Sequence, residues 1–141
     1  MTTIQRSALV EHSAARMFSL VNDIAAYPRR FDWCTDAQVL EEDAKKMVAR
    51  LDLRLGALST WFVTENSLSA PHHIDMKLIE GPFRSLTGRW QFHALDESAC
   101  KMMLTLSFVP VSRLMAPAMV LGFQGLADRM VDDFVRVADR Q

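Results

Sequence analysis

Apolar and polar residues alternate along much of this chain, a pattern typical of strands that bury one face and expose the other. The pattern is clearest in MVARLDLRL, residues 47–55, where Met47 and every second residue after it are apolar. Arg50, Asp52 and Arg54 share the opposite face. The same period predicts six further strands, at 3–10, 35–42, 58–65, 73–80, 87–94 and 101–109. Short turn-forming segments separate most of them, which favours antiparallel neighbours.

Two other segments have helical spacing. Ser13 can cap a first helix, whose apolar residues recur every three or four positions from Met17 to Ile24 before Tyr27-Pro28 ends or turns it. A second helical region covers about 112–139. Its later part carries one apolar stripe, formed by Met119, Phe123, Leu126, Met130, Phe134 and Val137. Charged and amide residues lie opposite this stripe, so the second helix is predicted to lie on the sheet.

This order of elements predicts one α+β domain over residues 1–141. A strand, two short helices, six strands and a long helix can together bury every apolar face in one arrangement. In it, a strongly curved antiparallel sheet of about seven strands wraps around the final helix. Sheet and helix need not close tightly at the open end of such a structure. We therefore expect an apolar cavity there, of a size that suits a small hydrophobic ligand.

Composition narrows the possible functions. The chain has 16 Lys and Arg against 17 Asp and Glu, and its net charge of −1 predicts no broad attraction to DNA or anionic lipid. Cys34 and Cys100 are far apart and belong to no cysteine–histidine cluster, so neither a metal nor a redox site is expected. The N-terminal TIQRSALVEH lacks a signal-peptide pattern. These features predict a cytoplasmic protein that requires no cofactor.

Residues with the spacing of a known catalytic motif are absent. The four histidines, His12, His72, His73 and His93, form no metal-ligand pattern, and the chain has no nucleophile elbow or P-loop. Glu80 shares the parity of the apolar residues Ile74 and Met76, so it could face the cavity as an acid or as a hydrogen-bond partner for a ligand. The alternative is that Glu80 lies at the rim, where Gly81-Pro82 ends the strand.

The segment GPFRSLTGRW, residues 81–90, has both a structural and a functional interpretation. Gly81-Pro82 predicts a turn, and Gly88 predicts sharp strand curvature or a bulge. Phe83 and Trp90 could plug the end of the sheet, or they could offer flat surfaces to a ligand ring. The nine methionines are equally ambiguous, because flexible thioethers suit irregular cores as well as adaptable pockets.

Four stretches are distinctive: IQRSALVEHSAARMFSLVNDIAAYP (4–28), Cys34-Thr35, LIEGPFRSLTGRWQF (78–92) and MVDDFVRVADR (130–140). Together they resemble the coenzyme-Q-binding and RatA (ribosome association toxin) family of START-like helix-grip proteins, also labelled polyketide or oligoketide cyclases. The resemblance implies a START/Bet v-like helix-grip fold. It also implies an apolar tunnel for ubiquinone and a role either in respiration or in binding the large ribosomal subunit. One loop departs from the family, with Arg30, Asp32 and Trp33 where apolar, proline and small residues are usual, so ligand size and partner contacts there are open.

The inward faces and this resemblance together define a predicted cavity wall. It consists of Tyr27, Phe62, Met76, Leu78, Glu80, Phe83, Trp90, Phe92, Met102, Leu104, Leu106, Met119, Phe123 and Met130. From Leu114 to Phe123 the final helical region has no polar side chain at all, although a surface helix normally shows one to water. This segment is predicted to form the cavity mouth and to dock on the inner membrane through Leu114, Met115, Met119, Val120, Leu121 and Phe123. Leu121→Asp and Phe123→Asp are predicted to weaken lipid association while leaving the fold intact.

Three functions follow from these observations, in decreasing order of preference. The first is a non-catalytic carrier or chaperone for ubiquinone or a related lipid. The second is a RatA-type toxin that binds the large ribosomal subunit and blocks subunit association. Its RNA contact would need a local basic patch, such as Arg29-Arg30 with Arg84 and Arg89. The third is a polyketide cyclase or dehydratase, which would need an acid–base pair drawn from Glu80, Tyr27 and Asn66.

Overall fold

Seven antiparallel strands form one sheet in the computed structural model, which describes residues 1–141. They are β1 (Thr2–Val10), β2 (Cys34–Glu42), β3 (Lys46–Leu55), β4 (Leu58–Ser69), β5 (His73–Glu80), β6 (Phe83–Asp96) and β7 (Ala99–Pro110). Their order across the sheet is β1-β7-β6-β5-β4-β3-β2, so β2 to β7 form a continuous meander and β1 pairs with β7. The tight turn from β3 to β4 uses Gly56 at φ 65°, a conformation that favours glycine.

Three helices accompany the sheet: α1 (Ala14–Asn22), α2 (Tyr27–Arg30) and α3 (Ala116–Arg140), with a 3₁₀ turn at Ile24–Ala26 between the first two. The Ser13 hydroxyl accepts a hydrogen bond from the Arg16 backbone N–H at 3.1 Å, so the predicted cap is present. The last helix begins later than the apolar pattern indicated. Ser112 instead accepts a hydrogen bond from the Met115 N–H in the turn before α3.

The core lies between the concave face of the sheet and α3, which contacts β1, β3, β4, β7 and α1. The buried side of α3 contains Met119, Phe123, Leu126, Ala127, Val131, Phe134 and Ala138. At one end, Phe134 joins Tyr27, Phe31, Trp33 and Trp90 in an aromatic cluster with ring centroids 4.6–6.4 Å apart. This cluster fixes the short helices after β1 against the last turns of α3.

The α+β helix-grip architecture predicted from the sequence is confirmed. Each predicted strand lies inside an observed strand, although β4 and β6 extend up to four residues further, and the long helix lies in the curve of the sheet. The interpretation of Gly88 needs refinement, because no bulge occurs there. Gly88 pairs regularly with Met76 and Leu106, whereas the register of β6 and β7 shifts only near Phe83 and near Asp96.

Candidate functional site

An internal cavity lies between α3 and the middle of the sheet. Its wall draws on the end of α1 and the turn after it, on β3 to β7 and on the middle of α3. The lining residues are Val21, Asn22, Ile24, Tyr27, Leu51, Leu53, Phe62, Thr64, Asn66, Ile74, Met76, Trp90, Leu104, Leu106, Phe123, Leu126, Ala127 and Met130. Fifteen of these eighteen are hydrophobic, so the site suits an apolar guest.

The cavity is small in this conformation. It encloses about 60 Å³, whereas pockets for drug-sized molecules measure roughly 300–1,000 Å³. Met76 and Met130 are half-buried wall residues with flexible thioether chains, so they are the groups most able to move when a guest enters. Gly88 contributes to the space, since a Cβ there would lie 2.4 Å from the Met76 Cε and 3.4 Å from Leu106 Cδ1.

Three polar side chains interrupt the apolar wall: Asn22, Thr64 and Asn66. Thr64 and Asn66 are only 3% exposed, and the Thr64 hydroxyl donates a hydrogen bond to Asn66 Oδ1 at 2.8 Å. The Asn22 Oδ1 atom is buried and has no hydrogen-bond partner. A buried polar group without a partner is costly, so this arrangement leaves hydrogen-bonding capacity at the cavity wall.

Tyr27 is the one ionisable side chain in the wall. Its hydroxyl donates a hydrogen bond to the Val21 carbonyl, so the hydroxyl proton is already used in this bond. Burial, followed by the nearby Cys34 and Asp23, raises the pKa of Tyr27 well above its usual value. The wall therefore contains no carboxylate or histidine that could form an acid–base pair with it.

Eight of the fourteen predicted cavity residues lie on this wall: Tyr27, Phe62, Met76, Trp90, Leu104, Leu106, Phe123 and Met130. Their binding role remains a prediction, since the structure shows their position alone. The period-2 pattern placed the strand residues on the inner face correctly, and the helical stripe did so for Phe123 and Met130.

Leu78 and Glu80 do not lie on the wall. Leu78 packs against the core as its parity predicted, but the parity argument fails for Glu80. A register shift sets Leu78 opposite Thr64 but Glu80 opposite Val63. One extra residue therefore lies between them, and a bulge of this kind reverses the face of the residue that follows. Glu80 is exposed at the rim, which was the structural alternative for this residue.

Four other predicted wall residues are buried elsewhere in the core. Phe83 packs edge-on to Phe62 and Phe108, and Phe92 stacks with Trp90 and meets Phe18 from α1. Met102 is fully buried beside Phe92 in the neighbouring strand. Met119 borders a separate shallow depression near the start of β4. All four face inward as predicted, but the cavity occupies only part of the inner surface.

The predicted mouth segment divides into two sides. Phe123 is 1% exposed and reaches the cavity, and Met119 is buried as well. Leu114 is 87% exposed, Leu121 is 70% exposed and Met115 is 37% exposed, while Val120 is half-buried. The prediction that Phe123→Asp leaves the fold intact is therefore wrong, because this carboxylate would enter the core. Leu121 remains a surface position.

The loop that departs from the family pattern lies away from the cavity. Trp33 is 1% exposed, and its indole N–H donates a hydrogen bond to Asp133 on α3 at 2.9 Å. Asp32 forms an ion pair with Arg129, also on α3, and Arg30 pairs with Asp23. Trp33 and Asp32 thus hold this loop against α3, and Arg30 pairs with the residue that follows α1. None of the three lines the cavity.

The proposed basic patch is not a group of four free cations. Arg30 pairs with Asp23 at 3.2 Å, and Arg89 donates two hydrogen bonds to the Asp75 carboxylate on the neighbouring strand. Arg29 and Arg84 are exposed on different elements, α2 and the start of β6. A nucleic-acid contact through Arg30 or Arg89 would therefore have to compete with these carboxylates.

The predicted cavity wall did not include ten of the observed wall residues, of which only Asn66 had been given a functional role, as an acid–base candidate. They are Val21, Asn22, Ile24, Leu51, Leu53, Thr64, Asn66, Ile74, Leu126 and Ala127. For Thr64 and Asn66 a signal was available, because they lie two and four residues beyond Phe62 and share its face. Leu51, Leu53, Ile74 and Leu126 likewise belonged to apolar faces. Nothing in the pattern brings Asn22 to the wall, since that depends on where α1 meets the sheet.

Comparison with known proteins places this geometry in a family. A family model described as polyketide cyclase / dehydrase and lipid transport matches residues 10–135. A protein named ribosome association toxin RatA from Pseudomonas aeruginosa is 44% identical over 137 residues, which cover 97% of this chain and 95% of the relative. One of the same name from Vibrio cholerae is 42% identical over 138 residues, with 98% and 96% covered.

Solved structures show the same fold at low identity. The Zhui aromatase/cyclase from Streptomyces sp. R1128 superposes with a TM-score of 0.84 at 20% identity, over 99% of this chain and 94% of that one. A START superfamily protein from Mycobacterium smegmatis gives a TM-score of 0.67 at 19% identity, over 91% of this chain and 98% of that one.

None of the helices in the present structure is long and apolar enough to cross a membrane.

Proposed function

Because this chain belongs to the polyketide cyclase/dehydrase and lipid transport family, on the branch of the RatA-named proteins, we propose that it associates with the ribosome. The observation that carries this proposal is identity of 42–44% over almost the whole length of both chains. The matched region includes the core, the cavity wall and the surface of α3. Among the hypotheses from the sequence, the ribosome hypothesis thus has more support than the ubiquinone hypothesis.

Co-sedimentation tests this proposal. Purified protein is mixed with bacterial ribosomes and with separated subunits, and the mixtures are resolved on sucrose gradients at several salt concentrations. We expect the protein to travel with the large subunit and to increase the proportion of free subunits. A protein of similar mass and net charge serves as the control. Protein that stays at the top of every gradient, with unchanged subunit joining, would contradict the proposal.

We also propose a second function, the binding of a small apolar molecule in the internal cavity. The supporting observation is the wall itself, with fifteen hydrophobic residues of eighteen around about 60 Å³ of space. A well-packed interior normally leaves few voids larger than a water molecule. A retained cavity in the middle of the fold is therefore a candidate binding site, and the family includes lipid transport proteins by description.

Gly88→Leu provides a direct test of the cavity. A side chain at this position would occupy space beside Met76 and Leu106, so we expect it to abolish binding of naphthalene measured by methionine-methyl NMR. Gly125→Ala is the matched control, because a Cβ at Gly125 meets nothing within 4 Å. If wild type shows no methyl shifts with naphthalene, or Gly88→Leu binds it equally well, the cavity proposal fails.

Two more specific proposals are that the cavity binds ubiquinone and that the protein docks on the inner membrane. A quinone ring would require the wall to open, most readily at Met76 and Met130. Trp90 lies on the wall, so titration with a short-chain ubiquinone would quench tryptophan fluorescence saturably if the ring enters.

Vesicle co-sedimentation of wild type and Leu121→Asp tests the exposed apolar side chains before and within α3. Equal partitioning of the two proteins would argue against that docking surface.

A further inference from the structure

The inner face of β4 carries a run of polar side chains inside an otherwise apolar core. Thr60, Thr64 and Asn66 share the face of Phe62, and they are 6%, 3% and 3% exposed. Buried polar groups are costly unless they are hydrogen-bonded, so each of them needs a partner or a function. Thr64 and Asn66 line the cavity, whereas Thr60 lies beyond it towards the start of α3.

The Asn66 amide is hydrogen-bonded to its polar neighbour on the same face of β4. The Thr64 hydroxyl donates to Asn66 Oδ1 at 2.8 Å, and this hydrogen bond does not involve Nδ2. Asn66 thus brings an amide N–H group to the cavity wall, from a residue that is almost completely buried.

Asn22 supplies the complementary group from the end of α1. Its Oδ1 atom is buried and accepts no hydrogen bond, and the residue lines the same cavity. The wall therefore offers amide N–H donors on β4 and an unsatisfied acceptor on α1. A hydroxyl group can satisfy both kinds, because it accepts and donates, whereas a carbonyl oxygen can satisfy only the donors.

The wall also limits the charge of the guest. No lysine, arginine or histidine lines the cavity, so a carboxylate or phosphate would lose its hydration without gaining a cation. We propose that Asn66 and Asn22 form a hydrogen-bonding site for the hydroxyl group of a neutral, otherwise apolar ligand, such as a phenol or a fatty alcohol. This assignment rests on the cavity function proposed above and names the chemical class of its ligand.

Three probes of one shape test the assignment: β-naphthol, naphthalene and β-naphthoate. Calorimetric titration of the full-length protein measures each affinity at neutral pH. We expect β-naphthol to bind at least as tightly as naphthalene, despite its better hydration in water, and at least tenfold more tightly than β-naphthoate. Stronger binding of β-naphthoate, or naphthalene binding alone, would overturn the assignment.

Asn66→Leu removes the donors while keeping a side chain of similar size. We expect it to weaken β-naphthol about tenfold, the loss typical of one buried hydrogen bond, and to leave naphthalene within twofold of wild type. Asn22→Leu is an independent variant on another element, with a loss of about fivefold for β-naphthol. It keeps the test decisive if Asn66→Leu does not fold. Unchanged β-naphthol affinity in the folded variants would overturn the assignment.

Thr60→Val is the matched control, because Thr60 is a buried, unpartnered polar residue on the same face of β4 but outside the cavity. It should change none of the three affinities.

The outcomes distinguish the hydroxyl-binding site from the cavity function on which it rests. Naphthalene binding without any effect of the asparagines refutes the hydroxyl site and leaves the cavity function standing. Absence of binding by all three probes, with the cavity occupied by water only, refutes both.

Discussion

Phe123 and Leu121 lie two residues apart on α3, yet their substitution should have opposite consequences. Phe123 is 1% exposed, with its ring centroid 4.8 Å from Phe108 and 5.9 Å from Phe83. Leu121 is 70% exposed. We therefore predict that Phe123→Ala destabilises the protein strongly, whereas Leu121→Ala and Leu121→Asp have little effect on the free energy of unfolding.

The magnitude follows from burial and ring contacts. Replacing a buried phenylalanine with alanine costs about 3–5 kcal/mol, and each aromatic pair adds about 0.5–1.5 kcal/mol beyond area burial. Phe123→Ala should therefore fall in the upper half of the first range. Changes at an exposed site such as Leu121 usually stay within about 0.5 kcal/mol. Since a domain is stable by only about 5–15 kcal/mol, Phe123→Asp, with a buried carboxylate, should leave much of the protein unfolded.

Urea denaturation followed by tryptophan fluorescence and circular dichroism measures both differences. The midpoint of unfolding should fall clearly for Phe123→Ala and stay near wild type for the Leu121 variants, at constant denaturant dependence. A loss below about 1 kcal/mol for Phe123→Ala would refute the packing argument, because a fully buried ring cannot be removed at so small a cost. A loss above about 2 kcal/mol for Leu121→Asp would show that the Leu121 side chain contributes to the stability of the fold, contrary to its exposure.

Two further predictions concern the glycines of α3 and the thiol of Cys34. A Cβ at Gly122 would lie 2.7 Å from Leu55 Cβ, so Gly122→Ala should destabilise by about 1–3 kcal/mol. Gly125→Ala meets open space and should stabilise by up to about 1 kcal/mol; equal effects in thermal unfolding would contradict both. Burial raises the pKa of Cys34 from 9.0 to about 11, so the folded state holds this proton longer than the unfolded state. Stability should therefore fall as pH rises from about 9 to 11, by at most about 1.4 kcal/mol per pH unit. Urea titrations should show a flatter profile for Cys34→Ala, and an identical slope would refute the assignment.

The pattern of the sequence was sufficient for the architecture. Period-2 alternation and the stripe on α3 identify nearly every element, because both patterns depend only on which face of an element is buried. The same reasoning placed Phe62, Trp90 and Leu104 on the inner face. It could not place Glu80, because a bulge in β5 changes the pairing by one residue, and pairing is a property of two strands together.

What the sequence determined by itself is therefore which side chains avoid water, a property that each element carries locally. Tertiary structure decided which of those side chains border empty space. Three features depend on distances between remote segments: the position of Gly88 beside Met76 and Leu106, the position of Asn22 at the cavity wall and the contact of Trp33 with Asp133. Such distances result from packing the whole domain, since interiors are filled by interdigitation across elements. The cavity and its polar groups are thus visible only once the sheet has closed around α3.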